Sequence, residues 1–138
     1  GTELSEGTVI PEGETGAGDN ERSQFTIGAL VLQEWLVRMR NWINDENRSE
    51  KAPDLSKTLL QQWIYTQSTS YLAEYENFTI LKNQFEQLLN LTEEVEKAVS
   101  DGDSELIEQK YTQIVEAMKK GKSAIRSLGY DISDHQAE

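Results

Sequence analysis

The stretch that decides the fold is 78–101, FTILKNQFEQLLNLTEEVEKAVSD, followed at once by Gly102-Asp103-Ser104. Phe78, Leu81, Phe85, Leu88, Thr92, Val95 and Val99 recur at steps of 3, 4, 3, 4, 3 and 4, the spacing that keeps one face of a helix apolar over more than three heptads. Asp101-Gly102-Asp103 is a stop signal, and Asp103 or Ser104 can cap a new helix. Past it, Ile107, Tyr111, Ile114, Met118, Gly121, Ile125 and Leu128 repeat the same seam, with Gly129 where a C-terminal cap belongs. Two long amphipathic helices joined by so short a turn pack antiparallel. The sequence therefore predicts a third helix over 74–100 and a fourth over 104–128.

Working back from this hairpin, Phe25, Leu32, Trp35, Met39 and Trp42 define a first helix over 24–46, with Gly28 at the missing step of its stripe. A second helix, 55–72, carries Leu59, Leu60, Trp63, Ile64 and Tyr71. Asp54 or Ser56 caps it, and a break is expected at Ser68–Ser70. No strand pattern appears. The predicted fold is all-α, an antiparallel four-helix bundle over 24–128. It is flanked by a disordered acidic linker or tail, 1–23, and a polar C-terminal tail, 129–138.

The net charge of −12 sits mainly on those ends: residues 1–23 carry −5, residues 129–138 carry −3, and the bundle only −4. Nucleic-acid binding needs clustered Lys and Arg to displace counterions, and the one basic knot, Lys119, Lys120 and Lys122, complements the dipole near a helix C-terminus. No run of apolar residues is long enough to insert in a membrane. The chain contains no cysteine and a single histidine, His135, in the C-terminal tail. Zinc sites of the usual composition, thiol chemistry and a Ser–His–Asp arrangement are thereby removed. The bundle lacks the Glu-x-x-His pairs of di-iron proteins, and its paired carboxylates, such as Glu105 and Glu108, suit a helix start. Neither an enzyme nor a cofactor is expected. Sequons at Asn47, Asn77 and Asn90 are read as chance occurrences.

Aromatic side chains are the remaining chemistry. Trp35, Trp63, Tyr65 and Tyr71 are the candidate ligand or partner contacts, because rings with one polar end are enriched in pockets and interfaces. The alternative for each is core packing.

The layout of the second and third helices resembles the chemoreceptor zinc-binding domain. The likeness is carried by Thr58-Leu-Leu-Gln-Gln-Trp63-Ile-Tyr65, by Phe78 with the stretch 81–89, and by Gly102-Asp103 before a helix of spaced apolar residues. In that family a Cys stands five residues before a Trp, a His-x-x-x-His pair follows a Phe-x-x-Leu segment, and a first His stands three residues before a Trp. The matching positions here are Thr58, Phe85 with Leu89, and Leu32, so all four ligands are replaced. The resemblance implies a metal-free, apolar-plugged member: a cytoplasmic, homodimeric sensory module joined to an output signalling domain in the parent chain. Two other readings stay open: a periplasmic four-helix ligand-binding domain of a receptor, and an adaptor that docks a partner helix. The polar ends argue against the receptor reading, which needs helix continuing toward a membrane.

Overall fold

Four helices account for most of the described residues: α1 (Glu12–Asn44), α2 (Leu59–Gln67), α3 (Glu76–Asp101) and α4 (Ser104–Ala137), with 3₁₀ turns at Leu55–Lys57 and Tyr71–Glu74. The computed structural model describes residues 12–46, 48 and 51–137, and places side chains for 25–46, 48 and 51–132. Residues 1–11 of the expected linker and the sequon at Asn47 lie outside the described residues. Among the described residues there is no strand.

The hairpin α3–α4 is the main body of the bundle. Asn77 at the start of α3 donates through Nδ2 to Asp131 Oδ2 near the end of α4 (2.8 Å). Glu94, far along α3, pairs with Lys110 near the start of α4 (2.6 Å). The order is that of an antiparallel pair. The turn between them is a Schellman motif: Gly102 N–H reaches Val99 O (3.1 Å) and Asp103 N–H reaches Ala98 O (3.0 Å). Gly102 has φ 71°, the left-handed region that a Cβ disfavours. No atom would crowd a Cβ there, so Gly102→Ala tests backbone strain alone and is expected to lower stability by about 1 kcal/mol in denaturant unfolding. Asp103 then caps α4, accepting from Leu106 N–H (3.1 Å).

α1 packs on α4, also antiparallel: Arg40 meets Glu108 (3.1 Å), and two turns back Lys122 Nζ donates to Gln33 Oε1 (2.8 Å). α2 lies across α1, where Leu60 Cδ1 comes within 3.3 Å of the place a Cβ on Gly28 would occupy. The missing step in the first-helix stripe is therefore a close approach between α1 and α2. α2 starts at Thr58, whose hydroxyl oxygen accepts from Gln61 N–H, and ends at Ser68, at the break the sequence predicts. Ser68 Oγ bonds back to Ile64 O (2.7 Å), the local competition that makes clustered hydroxyls poor helix formers.

The core joins all four helices, from Phe25, Leu32, Trp35 and Met39 through Leu60, Ile64, Phe78 and Phe85 to Ile114, Met118, Ile125 and Leu128. No polar or charged side chain is buried among the described residues.

Three expectations are corrected. The seam of α3 turns by one residue along its length: Leu91 and Ala98 are buried, while Thr92 and Val99 are only half-buried. The buried positions advance by less than the 3.6 residues of a helical turn, so the buried face rotates around α3 toward its C-terminal end. α4 does not stop at Gly129 but continues to Ala137, because Ile132 is 1% exposed and extends the core stripe past Leu128. The segment read as a polar tail is therefore helix through Ala137. α1 likewise starts at Glu12 rather than at residue 24.

Candidate functional site

The four aromatics singled out by sequence separate into different environments. Trp35 is core, 3% exposed, and its indole N–H donates to Pro53 O (3.0 Å), pinning the loop after α1. Trp63 is half-buried between α1 and α3, edge-on to Phe25 (ring centroids 5.5 Å, 90°) and tilted against Phe78 (6.1 Å). Tyr71 meets Tyr75 edge-on (6.4 Å) at the second 3₁₀ turn. Tyr65 is 78% exposed. They do not form one site.

Leu32 and Phe85 are buried members of the core, and Leu89 packs against it half-buried. Leu32 also faces Gly121 on α4, with its Cδ1 3.7 Å from where a Cβ would sit. Thr58 is different. Its hydroxyl donates to Leu55 O (2.6 Å) and accepts from Gln61 N–H, so its polar atom is committed to closing the 3₁₀ turn and starting α2. Three of the four positions thus provide apolar packing and the fourth is a helix cap. Among the described residues no group of three or more His, Asp or Glu side chains is placed to hold a metal ion.

Two clefts open on the surface beside these residues. One, about 680 Å³, lies between α2 and α3 and is lined by Tyr65, Phe85 and Leu89 together with Gln61, Lys82 and Glu86. It is broad and mixed in polarity. The other, about 380 Å³, lies between α1 and α4, with Phe25, Ala29 and Ile125 as its floor and Lys122, Arg126 and Tyr130 on its rim. Gly129 keeps this cleft open, since a Cβ there would already touch Phe25 Cδ2 at 3.5 Å. The sequence reading missed this cleft, taking Lys122 as a dipole complement and Gly129 as a cap. The signal was present as two adjacent rows on α4 at i+4 spacing: Gly121, Ile125, Gly129 and, beside it, Lys122, Arg126, Tyr130.

Electrostatics elsewhere are those of a solvated surface. Arg40 donates to both carboxylate oxygens of Glu108 (3.3 and 3.1 Å), with its guanidinium 4.7 Å from the Tyr111 ring centre. Both partners are substantially exposed, so the pair adds little to stability. The hydrogen bond from Ser56 Oγ outweighs desolvation and holds the Asp54 carboxyl below the usual aspartate range, with further help from Ser56 N–H, Lys57 and Lys51. This is the signature of a cap. No described helix is long and apolar enough to cross a membrane.

Fold and clefts together define the class: a four-helix, all-helical bundle with an apolar core and an open seam between its first and last helices. No family model matches this chain, and no curated protein or solved structure is similar to it at a significant level.

Proposed function

We propose that this chain is a non-enzymatic regulatory bundle of a signalling protein, in which α1 and α4 transmit changes between the bundle and the segments joined to their shared end. The observation that carries this reading is the run of α1 and α4 past the rest of the bundle. Both pair antiparallel, so the N-terminal part of α1 and the C-terminal part of α4 leave at one end, beyond the level at which Asn77 starts α3. Gly121 and Gly129 lie on the α4 face that meets α1, so neither adds a side chain to that seam, and a cleft opens where Gly129 stands. A seam between two long helices that opens at one end is the kind of element whose spacing a bound molecule can bias.

The same reading makes the module a homodimer. Ile27, Leu30 and Val37 are 48%, 62% and 50% exposed on the side of α1 away from the core, and Leu59 on α2 is 66% exposed near Ile27. Glu34 and Arg38 lie among them as an exposed i,i+4 pair (3.5 Å), a self-complementary arrangement for a second copy in the opposite direction. Light scattering of the full chain is expected to give twice the chain mass, with Leu30→Glu and Val37→Glu together returning it to a monomer. A monomeric wild-type chain at every concentration would overturn the dimeric signalling reading and move the exposed face to an adaptor role.

A receptor ligand-binding domain is a second reading with an observation in its favour. Its difficulty lay in polar, non-helical ends, and helix now runs from Glu12 and through Ala137.

A further inference from the structure

We propose that the cleft between α1 and α4 binds a small amphipathic carboxylate, an anion with one apolar tail. This deepens the regulatory reading above by naming the ligand class, and it rests on that reading for its consequence but not for its chemistry.

The floor is apolar: Phe25, Ala29 and Ile125 line it, and Gly129 leaves a gap that any larger residue would fill. Its volume, about 380 Å³, falls in the range of small-molecule sites, which are mostly apolar with a few polar groups that orient the ligand. Those groups are present on one rim. Lys122, Arg126 and Tyr130 follow one another at single-turn intervals along α4, and Thr26 faces them from α1. Both charged lining residues are basic, in a chain whose net charge is −12. The cleft is therefore selective for a negative head against the general field of the protein.

Arg126 has no hydrogen-bond or ion-pair partner among the described residues and is exposed. Its planar fork of N–H donors matches a carboxylate in two parallel bonds. Lys122 gives one of its three donors to Gln33 and retains the others, so it adds a point charge beside the fork. The tail then lies over Phe25 and Ile125 and replaces water on apolar surface. A ligand so placed touches both α1 and α4, the two helices that leave the bundle together.

Decanoate is the probe, titrated into the full chain by calorimetry, with decanol as the neutral match in size. Decanoate is expected to saturate one site per chain and decanol to bind on the order of tenfold more weakly or less. Arg126→Gln should weaken decanoate by a similar factor, whereas Lys97→Gln, a surface lysine on α3, should not change it. Arg126 is exposed, so its replacement leaves the fold intact, which circular dichroism verifies. Lack of saturation, equal affinity for decanol, or an unchanged affinity in Arg126→Gln would each overturn the assignment. Spin labels on cysteines replacing Arg22 and Ser133 read the separation of α1 and α4. Saturable decanoate binding with no change in that separation keeps the cleft and overturns the regulatory reading. Absence of binding overturns the cleft alone, leaving the regulatory reading to the light-scattering test.

Discussion

Phe85→Ala is expected to destabilise the protein by about 3–5 kcal/mol, visible as a lower midpoint in chemical denaturation with an unchanged slope. Phe85 is 3% exposed near the middle of α3 and is one of the residues lining the α2–α3 cleft. Truncation removes the transfer energy of the ring and leaves a hole. Two features decide how much of that hole closes. α3 is tied along its length to α4, from Asn77–Asp131 to Glu94–Lys110, so the helix backbone is held against moving inward. α2 is nine residues long and capped by single side-chain bonds, so it is the element able to shift. A loss near the upper figure would mean α2 stays in place. A loss below about 1 kcal/mol, the range of surface substitutions, would put Phe85 outside the core and break the register drawn from the α3 seam.

Leu55→Ala is expected to cost about 2–5 kcal/mol although it lies in a three-residue 3₁₀ turn between helices. Leu55 is 0% exposed. The segment around it is held by four independent bonds: Trp35 Nε1 to Pro53 O, Ala52 N–H to Glu96 Oε2 (2.7 Å), Ser56 N–H to Asp54 Oδ1 (2.9 Å) and Thr58 Oγ1 to Leu55 O. Further back, Arg48 donates to the carbonyls of Trp42 (3.0 Å) and Ile43 (2.7 Å), satisfying the end of α1. With the backbone fixed on both sides, the turn cannot collapse to fill the space a leucine leaves. Hydrogen exchange should show the loss concentrated in 51–67 if the loop opens separately from the α3–α4 hairpin, and spread over the chain if it does not. An effect under about 1 kcal/mol would mean Leu55 does not anchor the crossing from α1 to α2.

Much of this architecture was legible before any coordinates. The α3–α4 hairpin followed from two sustained seams and Asp101-Gly102-Asp103, because burying an apolar stripe and turning on a glycine are local requirements that sequence spacing states directly. The stripe of α1, the break among Ser68, Thr69 and Ser70, and the core positions Leu32 and Phe85 were legible for the same reason, whereas Trp35 stood between a contact and the core. Helix ends were less so. Gly129 reads as a cap by residue type, yet it sits inside α4, since Ile132 can be buried only if helix carries it there. A terminal turn is decided by what it packs against, and spacing within one segment does not contain that partner.

Where the candidate clefts open was decided by the tertiary structure, although the row Lys122, Arg126 and Tyr130 that rims one of them is readable along α4. Sequence determined that the chain forms amphipathic helices with an apolar interior, that cysteine and a second histidine are absent, and that the acidic charge gathers at its ends. It could not determine that Gly129 on α4 faces Phe25 on α1, or that Tyr65, Phe85 and Leu89 border one groove while Trp63 turns to the other side of α2. Those relations depend on the rotation of each helix about its axis and the height at which its neighbour crosses. Both are set by the packing of all four elements at once, and a residue's own neighbours in sequence carry no record of them.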